Sequence, residues 1–434
     1  MLIITDTPAL SDLCERLSGA EYVTVDTEFL RESTYWPILC LIQVAAPPGE
    51  ADEAGAIIDP MAEGIDLAPF WALMRNTEVV KVFHAARQDL EIMWHLGEVI
   101  PEPLFDTQVA ATVCGFGESV GYEAIVRVLA REEIDKSSRF TDWSRRPLTQ
   151  KQLDYAISDV THLRTVFELL YDKLEEQNRH EWVADEMRVL TSPETYITRP
   201  EDAWKRIKAR VKKPQDMAVL VEVAAWRERE AQTRDVPRSR VLKDDAVAEL
   251  AIQKPKTIEA LGQLRAIPRG FERSRHGASL LEAVKAGLAA DPQEAPQPKK
   301  AGGGNGGAGP TVELLKVLLR MISDNERVAP RIIASGDDLE RIASEDEPDI
   351  DAMRGWRREL FGEPARLLRD GKLALAMENG RVALVARDED AQTVLGGRAK
   401  PAGRGRPRRR SGSRKTAASR SPEGETQPGS SSAP

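Results

Sequence analysis

The fold of this chain is indicated by one short stretch, residues 23–29, which read VTVDTEF. Valine and threonine favour strands, and an amphipathic segment around residues 7–18, which predicts a short helix, comes just before. Side chains alternate along a strand, so Asp26 and Glu28 are expected on one face and Thr27 and Phe29 on the other. The Cα atoms of the two residues are then about 6.5 to 7 Å apart, so that both carboxylates can reach one cation. Such a pair is usually solvated surface, so it does not establish a site alone.

A second acidic segment follows another predicted strand, residues 79–83. The chain turns there through HAARQD, residues 84–89, into a stretch whose apolar residues have helical spacing. Asp89 is expected in the first turn of that helix, where the helix dipole alone can account for an acid. His84 is expected at the strand end, where a histidine is ordinarily a hydrogen-bonded structural residue. Neither residue indicates a function in isolation.

The third acidic segment is a predicted helix with a clear start. Thr149 and Gln152 have the spacing of a capping box. Apolar residues then recur at intervals of three and four: Leu153, Ala156, Ile157, Val160, Leu163, Phe167 and Leu170. Tyr155 and Asp159 are four apart, so they share one helix face at the edge of that stripe. Such a pair is ordinarily only hydrogen-bonded, and the other two segments give it its significance.

Four acids and one tyrosine are therefore contributed by three separate segments. Carboxylates gathered beside a core repel one another and lose hydration unless a cation joins them. Hard divalent cations bind such oxygen ligands. A divalent metal site is thus the expected use of these acids, namely Asp26, Glu28, Asp89 and Asp159.

These segments resemble the ribonuclease D family, in the tyrosine-bearing branch of the DEDD exonuclease superfamily. The similarity extends from residue 1 to about residue 195 and includes residues 26–31, 35–37, 41–43, 84–89, 105–108 and 142–159, in the order and spacing of the family. The resemblance implies an α/β, ribonuclease H-like catalytic domain, with a mixed sheet of about five strands flanked by helices. It also implies removal of nucleotides one at a time from the 3′ end of RNA.

The resemblance further implies roles for the five residues. In the family the four acids hold two magnesium or manganese ions. Asp26, Glu28 and Asp159 are expected to bind the ion beside the attacking water, and Asp26, helped by Asp89 directly or through the second shell, the ion beside the leaving 3′ oxygen. Tyr155 is expected to hydrogen-bond the water. Because a tyrosine with an ordinary pKa near 10 is protonated at neutral pH, it orients the water and does not take its proton.

Substrate contacts are expected from four further residues, which are Thr27, Phe29, Gln43 and His84. For Phe29 two interpretations are equally good: it wedges against terminal bases, as its counterpart in the family does, or it belongs to the core. The sequence offers no obvious covalent nucleophile. Direct hydrolysis is therefore expected, with nucleoside 5′-monophosphates as products.

Length and composition indicate an enzyme with appended modules. The chain has 434 residues, 41% of them hydrophobic, which is enough for two to four domains with sizeable cores. No secretory signal is evident at the amino end, and no run of about 18 apolar residues predicts a membrane helix. The three cysteines, Cys14, Cys40 and Cys114, are an odd number without metal-type spacing. A cytoplasmic location is therefore expected.

Several modules are expected along the chain. The exonuclease domain is assigned to residues 1–200. Residues 201–292 resemble an HRDC domain, a small helical bundle that ribonuclease D shares with RecQ-type helicases, with a generic bundle as the alternative. Residues 293–310 have the composition of a Gly/Pro-rich linker. By position, residues 311–385 resemble a second, diverged HRDC-like bundle, so the modules after the catalytic domain are expected to be all-α.

The end of the chain, residues 390–434, is expected to be a basic disordered tail. Ten of the 61 Lys and Arg residues lie between Arg398 and Arg420, whereas positions 1–397 hold 51 basic and 68 acidic residues. A basic arm can raise RNA affinity through phosphate contacts. A merely tolerated extension is an equally good interpretation.

The leading prediction is a 3′–5′ exoribonuclease that acts as a monomer, without membrane contact, on structured RNAs such as transfer RNA precursors. A DNA exonuclease of the proofreading type uses the same acids and tyrosine. The HRDC-like modules and the lack of a polymerase-sized region argue against that alternative. A catalytically silent RNA-binding scaffold is the third hypothesis, and the presence of all four acids and Tyr155 gives it no support.

Overall fold

The computed structural model describes residues 1–49, 54–209, 211–296, 308–388 and 392. The catalytic region contains six strands, which are β1 (Leu2–Ile4), β2 (Tyr22–Leu30), β3 (Ile38–Ala45), β4 (Ala56–Ile58), β5 (Val80–Phe83) and β6 (Leu104–Asp106). They form one sheet in the order β1-β4-β3-β2-β5-β6. Strand β3 is antiparallel to both of its neighbours, and the other pairs are parallel. The expected mixed sheet is confirmed, with six strands where about five were expected.

Seven α-helices of the described residues accompany this sheet. They are α1 (Thr7–Leu17), α2 (Ala68–Arg75), α3 (Arg87–Gly97), α4 (Thr107–Val113), α5 (Tyr122–Leu129), α6 (Gln150–Gln177) and α7 (His180–Leu190). Helix α6 packs across β2 and β3. Its start is fixed by the predicted capping box, in which Thr149 accepts from the Gln152 backbone and the Gln152 side chain accepts from the Thr149 backbone. That predicted helix start is confirmed.

The main core fills the space between the sheet and these helices. Its fully buried members include Leu10, Phe70 and Phe83. Each such side chain contributes about 1.5 to 3 kcal/mol relative to exposure in water. A smaller apolar cluster lies under the start of α6, where Trp143 packs beside Tyr155. The two clusters fix β2 and α6 relative to each other, and both elements contribute acids to the site.

A helical module follows the catalytic region. Its α-helices are α8 (Pro214–Thr233), α9 (Arg238–Val241), α10 (Asp244–Gln253), α11 (Ile258–Gly262) and α12 (Arg275–Ala289). Helix α8 packs against α10 and α12. The core of this module also contains Tyr35, a residue of the loop between β2 and β3. A side chain of the catalytic region is therefore buried inside the helical module.

The third module is helical at first and ends in a hairpin. Its α-helices are α13 (Ala308–Glu326), α14 (Pro330–Ile333), α15 (Gly336–Ser344), α16 (Gly355–Arg357) and α17 (Glu363–Arg369), and a π-helical turn, Arg358–Gly362, joins the last two. The hairpin strands are β7 (Leu373–Glu378) and β8 (Arg381–Ala386). This hairpin differs from the all-α bundle expected for residues 311–385, because Asn379 and Gly380 both have positive φ and form a tight turn that pairs two strands. Helix α13 also begins inside the expected linker range.

Direct contacts join the third module to the catalytic region. The rings of Trp182 and Trp356 stack with centroids 4.3 Å apart. Arg179 forms a salt bridge to Glu326 at 2.9 Å. Most of the expected linker, and the expected tail apart from residue 392, lie outside the described residues. Among the helices that are described, none has both the length and the apolar character needed to span a bilayer.

Candidate active site

Three of the predicted acids converge where β2 meets α6. One carboxylate oxygen from each of Asp26, Glu28 and Asp159 lies within 4.8 Å of the others. The two elements are tied together close to this point, because the Thr24 hydroxyl donates to the Val160 carbonyl at 2.8 Å. The acids line a cavity of about 530 Å³. The structure therefore brings together residues that are up to 133 positions apart.

Burial and mutual repulsion make the charged form of these acids unfavourable. Burial, followed by the charge of Asp159, holds the pKa of Asp26 well above its usual range. Burial, followed by the charges of Asp26 and Asp159, raises the pKa of Glu28 to about 10. Burial raises the pKa of Asp159 to about 7. A cation at this point would relieve both the burial and the repulsion.

The donor set fits a divalent metal ion. All three donors are carboxylate oxygens, the ligand type that hard cations such as Mg²⁺ and Mn²⁺ bind. Oδ1 of Asp159 is buried and has no hydrogen-bond partner among the described residues. A buried acceptor without a donor costs about 1 to 3 kcal/mol, which coordination to a cation would remove.

Asp89 lies apart from these three oxygens. It occupies the first turn of α3, where its carboxylate accepts a hydrogen bond from the Thr27 hydroxyl. The turn into α3 is held by Asp106, whose carboxylate accepts from the backbone N–H groups of Ala85 and Ala86 at 3.0 and 2.9 Å. Burial, followed by the charge of Asp26, raises the pKa of Asp89. Its role as a fourth metal ligand remains a prediction.

Tyr155 lines the cavity one helical turn before Asp159. A hydrogen bond from Tyr155 lowers the pKa of Asp159. Burial, followed by the charges of Asp159 and Glu28, raises the pKa of Tyr155 itself. The ring of Trp143 packs behind it, with centroids 6.1 Å apart. The phenol is therefore a fixed, protonated hydrogen-bond donor.

The predicted strand alternation holds for Asp26 and Glu28, whose carboxylates lie on one face of β2. Residues 26–29 all line the cavity, and the pairing of β2 with β3 shifts only after the two acids, between Glu28 and Phe29. Thr27 is buried and directs its hydroxyl at Asp89. Phe29 is half-buried and both lines the cavity and packs against the main core. Each of the two interpretations of Phe29 therefore describes part of its environment.

The other two expected substrate contacts differ from each other. His84 lines the cavity, but its Nδ1 lies 2.9 Å from the Thr107 hydroxyl and its Nε2 lies 3.1 Å from the Val120 carbonyl. Burial lowers the pKa of His84. Gln43 is fully buried in β3 opposite Asp26 and is not among the residues that line the cavity. Substrate contact by these two residues remains a prediction.

Sequence reasoning missed several residues of the cavity wall, among them Tyr122, Arg139 and Phe140. The Tyr122 hydroxyl donates to the backbone carbonyl of Asp159 at 2.5 Å and so fixes the position of that residue. Arg139 brings a positive charge near Glu28 and Asp159, where it lowers the pKa of both acids. Phe140 is 91% exposed. Neither periodicity nor a motif distinguishes these residues in the sequence.

Comparisons with known proteins identify the family of this chain. A family model described as a 3′-5′ exonuclease matches residues 1–177, and an HRDC domain model matches residues 216–284. A ribonuclease D from Nitrobacter hamburgensis is 57% identical over 387 residues, which cover 89% of this chain and 100% of that protein. This chain belongs to the ribonuclease D family. The ribonuclease D of Bartonella henselae is 45% identical over 88% of this chain and 93% of its own length.

A solved structure of the family extends this result to the fold. The crystal structure of Escherichia coli RNase D, described as an exoribonuclease involved in structured RNA processing, matches with a TM-score of 0.75. The two sequences are 29% identical, and the match covers 85% of this chain and 98% of that chain. The expected ribonuclease D fold, with its catalytic and HRDC domains, is confirmed. This ribonuclease D is a 3′–5′ exoribonuclease, in a superfamily that generally depends on divalent metal ions.

Proposed function

We propose that this ribonuclease D trims 3′ extensions from transfer RNA precursors and releases nucleoside 5′-monophosphates. The observation that supports this most directly is the cluster of Asp26, Glu28 and Asp159 oxygens within 4.8 Å of one another. Hydrolysis fits this site because acids and a protonated tyrosine line the cavity. The substrate class follows from the E. coli relative, which is described as acting in structured RNA processing.

The proposed cofactors are two divalent cations, Mg²⁺ or Mn²⁺. Asp26, Glu28 and Asp159 hold one of them in this proposal, and Asp26 with Asp89 holds the other. When bound, such cations activate the attacking water and stabilise the leaving oxygen of an in-line displacement. The unpartnered oxygen of Asp159 and the raised pKa values of all four acids support this assignment.

The remaining residues have positioning roles in the proposal. Tyr155 donates its hydroxyl proton to orient the attacking water, because a phenol with a raised pKa stays protonated. Tyr122 holds the backbone of Asp159, which keeps that carboxylate directed at the cavity. Phe29 contacts the terminal base, and Thr27 positions Asp89. Substrate contacts of His84 and Gln43 are part of the same proposal.

We also propose that the enzyme is a cytoplasmic monomer. All residues of the acidic cluster come from one chain, so catalysis does not require a second copy. The three cysteines are buried and unpaired, which suits a reducing compartment. Light scattering of the purified protein tests the first point, and fractionation of cells tests the second.

The test of function is digestion of a transfer RNA that carries a 3′ extension, with Mg²⁺, with Mn²⁺ and with EDTA. Nucleoside 5′-monophosphates should appear with the metals and be absent with EDTA. Asp26→Ala should abolish their release and leave RNA binding largely intact. Asp154→Asn, an exposed change on helix α6, serves as the matched control and should keep full activity. Full activity of the Asp26→Ala protein would refute the site. Equal degradation of DNA would favour a proofreading-type exonuclease.

A further inference from the structure

A short segment before helix α6 forms one rim of the catalytic cavity. It consists of the 3-10 turn Lys136–Ser138 and the residues that follow it. Thr141 fixes the segment at two points: its backbone N–H donates to the Ser138 carbonyl at 3.2 Å, and its hydroxyl accepts from the Gln152 side chain at 3.1 Å. Arg139 and Phe140 lie between these anchors, and both line the cavity. The fold therefore holds two side chains of different chemistry at the rim.

Phe140 is unusually exposed for a residue of this type. It is 91% exposed, the highest value among the large hydrophobic residues that are exposed in the described structure. The side chain has no packing role in the described structure, because none of its apolar clusters includes Phe140. Aromatic side chains at the mouth of a nuclease cavity are suited to stack on unpaired bases, and such stacking does not depend on base identity. The exposed ring at the cavity rim is therefore available to a base of the substrate.

Arg139 provides the positive charge of the cavity. Among the described residues that line it, Asp26, Glu28, Glu123 and Asp159 are acids, and Arg139 is the basic residue. The acids repel the phosphates of an approaching RNA, so a guanidinium at the rim offers the phosphate an attractive contact. The guanidinium lies 5.2 Å from the centroid of the Phe140 ring. The ring is nevertheless 91% exposed, so a face remains open to solvent beside this contact.

We propose that Arg139 and Phe140 form a two-residue clamp on the 3′ end of the RNA. Phe140 stacks on one unpaired base through its free face, and Arg139 contacts a neighbouring phosphate. Only a base that is not stacked and paired in a duplex can lie on the exposed ring of Phe140. The clamp therefore requires an unpaired nucleotide and selects single-stranded 3′ ends. The inference rests on the exoribonuclease activity and is independent of the transfer RNA substrate.

The stacking contact is tested with single-stranded RNA that carries the fluorescent base 2-aminopurine near its 3′ end. The protein binds this RNA in a buffer with EDTA, so that the RNA is not cut. Wild-type protein and Phe140→Tyr should quench the probe, because both rings stack. Phe140→Ala should abolish the quenching and weaken binding about 10-fold. A probe near the 5′ end serves as the control and should not respond. Equal quenching by wild-type protein and Phe140→Ala would overturn the stacking assignment.

The phosphate contact is tested through the salt dependence of binding. Arg139→Gln should reduce the slope of the logarithm of affinity against the logarithm of salt concentration by about 0.7, the value for one phosphate contact on a single strand. Arg139→Lys should keep the slope. Arg145→Gln is the matched control, since that side chain is 83% exposed and is not among the cavity residues. An unchanged slope in Arg139→Gln, or an equal change in Arg145→Gln, would overturn the contact.

Steady-state kinetics separate the clamp from a merely structural effect. In Mn²⁺, Phe140→Ala should raise KM about 10-fold and leave kcat within about twofold of wild type, because truncation of an exposed ring leaves the acids in place. A fall in kcat with unchanged KM would overturn the proposal. If transfer RNA precursors are not cut but the quenching and the salt slopes behave as expected, the clamp stands and only the proposed substrate fails.

Discussion

The hydroxyl of Thr27 donates a hydrogen bond to the carboxylate of Asp89, which joins strand β2 to the first turn of helix α3. Both residues are buried. Thr27 therefore determines where the fourth acid lies relative to Asp26 and Glu28, its neighbours in sequence. Thr27, which lies between two candidate metal ligands in the sequence, thus influences the site by positioning Asp89.

Thr27→Val keeps the shape of this side chain and removes its hydroxyl. The Asp89 carboxylate then loses a buried donor, so we expect the free energy of unfolding to fall by about 1 to 3 kcal/mol. Because the hydrogen bond from Thr27 lowers the pKa of Asp89, the variant should also need more Mn²⁺ for half-maximal activity. Urea denaturation and a metal titration measure the two effects. Thr27→Ser should stay close to wild type, and a fully stable Thr27→Val protein would contradict the account.

Tyr155→Phe should lower kcat by about 10- to 100-fold and leave KM nearly unchanged. The change removes a hydrogen bond to the attacking water and no metal ligand, so the loss should be smaller than that of Asp26→Ala. Because its pKa is raised, the phenol does not ionise at working pH. The pH profiles of variant and wild type should therefore have the same shape below pH 9. A rise in wild-type activity that follows tyrosine ionisation, absent from the variant, would show that Tyr155 takes the proton.

Asp159→Asn should stabilise the metal-free protein at neutral and alkaline pH. The pKa of Asp159 rises from 3.8 to about 7 on folding, so between these values the folded protein holds a proton that the unfolded chain has lost. The free energy of unfolding therefore falls as pH rises from 3.8 through 7. The variant lacks this titration and should be more stable in EDTA at pH 8, by on the order of 2 to 4 kcal/mol.

Addition of metal should make the wild-type protein more stable than Asp159→Asn. Mn²⁺ binds the folded wild-type protein and raises its Tm, whereas Asp159→Asn lacks a ligand and should gain little. Thermal denaturation at pH 5 and pH 8, with and without metal, gives the comparison. Asp154→Asn on the same helix should follow wild type throughout, because Asp154 is exposed. Lower stability of Asp159→Asn in EDTA at pH 8 would contradict the burial argument.

Local pattern was enough to predict the elements that carry the acids. Alternation along β2 and the capping box of α6 are short-range features, and they correctly place Asp26 and Glu28 on a strand and Asp159 on a helix. The spacing of apolar residues likewise places Asp89 in the first turn of α3. The hydrogen bond from Thr27 to Asp89 could not be predicted, because it depends on how α3 docks against β2.

Three features of the structure were not predicted from the sequence. Arg139 and Phe140 lie in a loop whose conformation is set by hydrogen bonds to the start of α6. The pairing of β2 with β3 shifts between Glu28 and Phe29, after the two acids that alternation places correctly. The hairpin of residues 373–386 was missed although its own sequence carries the signal, since Asn379 and Gly380 form a two-residue turn with positive φ between β7 and β8. The first two depend on contacts with a neighbouring element, which the pattern within one segment does not contain.

The junction between the catalytic and first helical modules supplies the last prediction. The Glu228 side chain is 1% exposed and accepts from the Arg238 guanidinium and from the Tyr35 hydroxyl. Glu228→Ala leaves Arg238 without its buried partner, so it should lower the free energy of unfolding by about 3 to 5 kcal/mol. Arg229→Ala on the same helix removes an exposed pair with Glu201 and should cost about 1 kcal/mol or less.

A double-mutant cycle with Tyr35→Phe and Glu228→Ala isolates the contact across this junction. Because the two side chains are hydrogen-bonded to each other, the effects of the two changes should not add, with a coupling of about 0.5 to 3 kcal/mol in urea denaturation. The Arg238 guanidinium lies 4.6 Å from the Tyr35 ring centroid and donates to its hydroxyl at 2.8 Å, so Tyr35→Phe retains the ring contact and loses only the hydroxyl. Additive effects would show that the helical module is held on the catalytic region by other contacts.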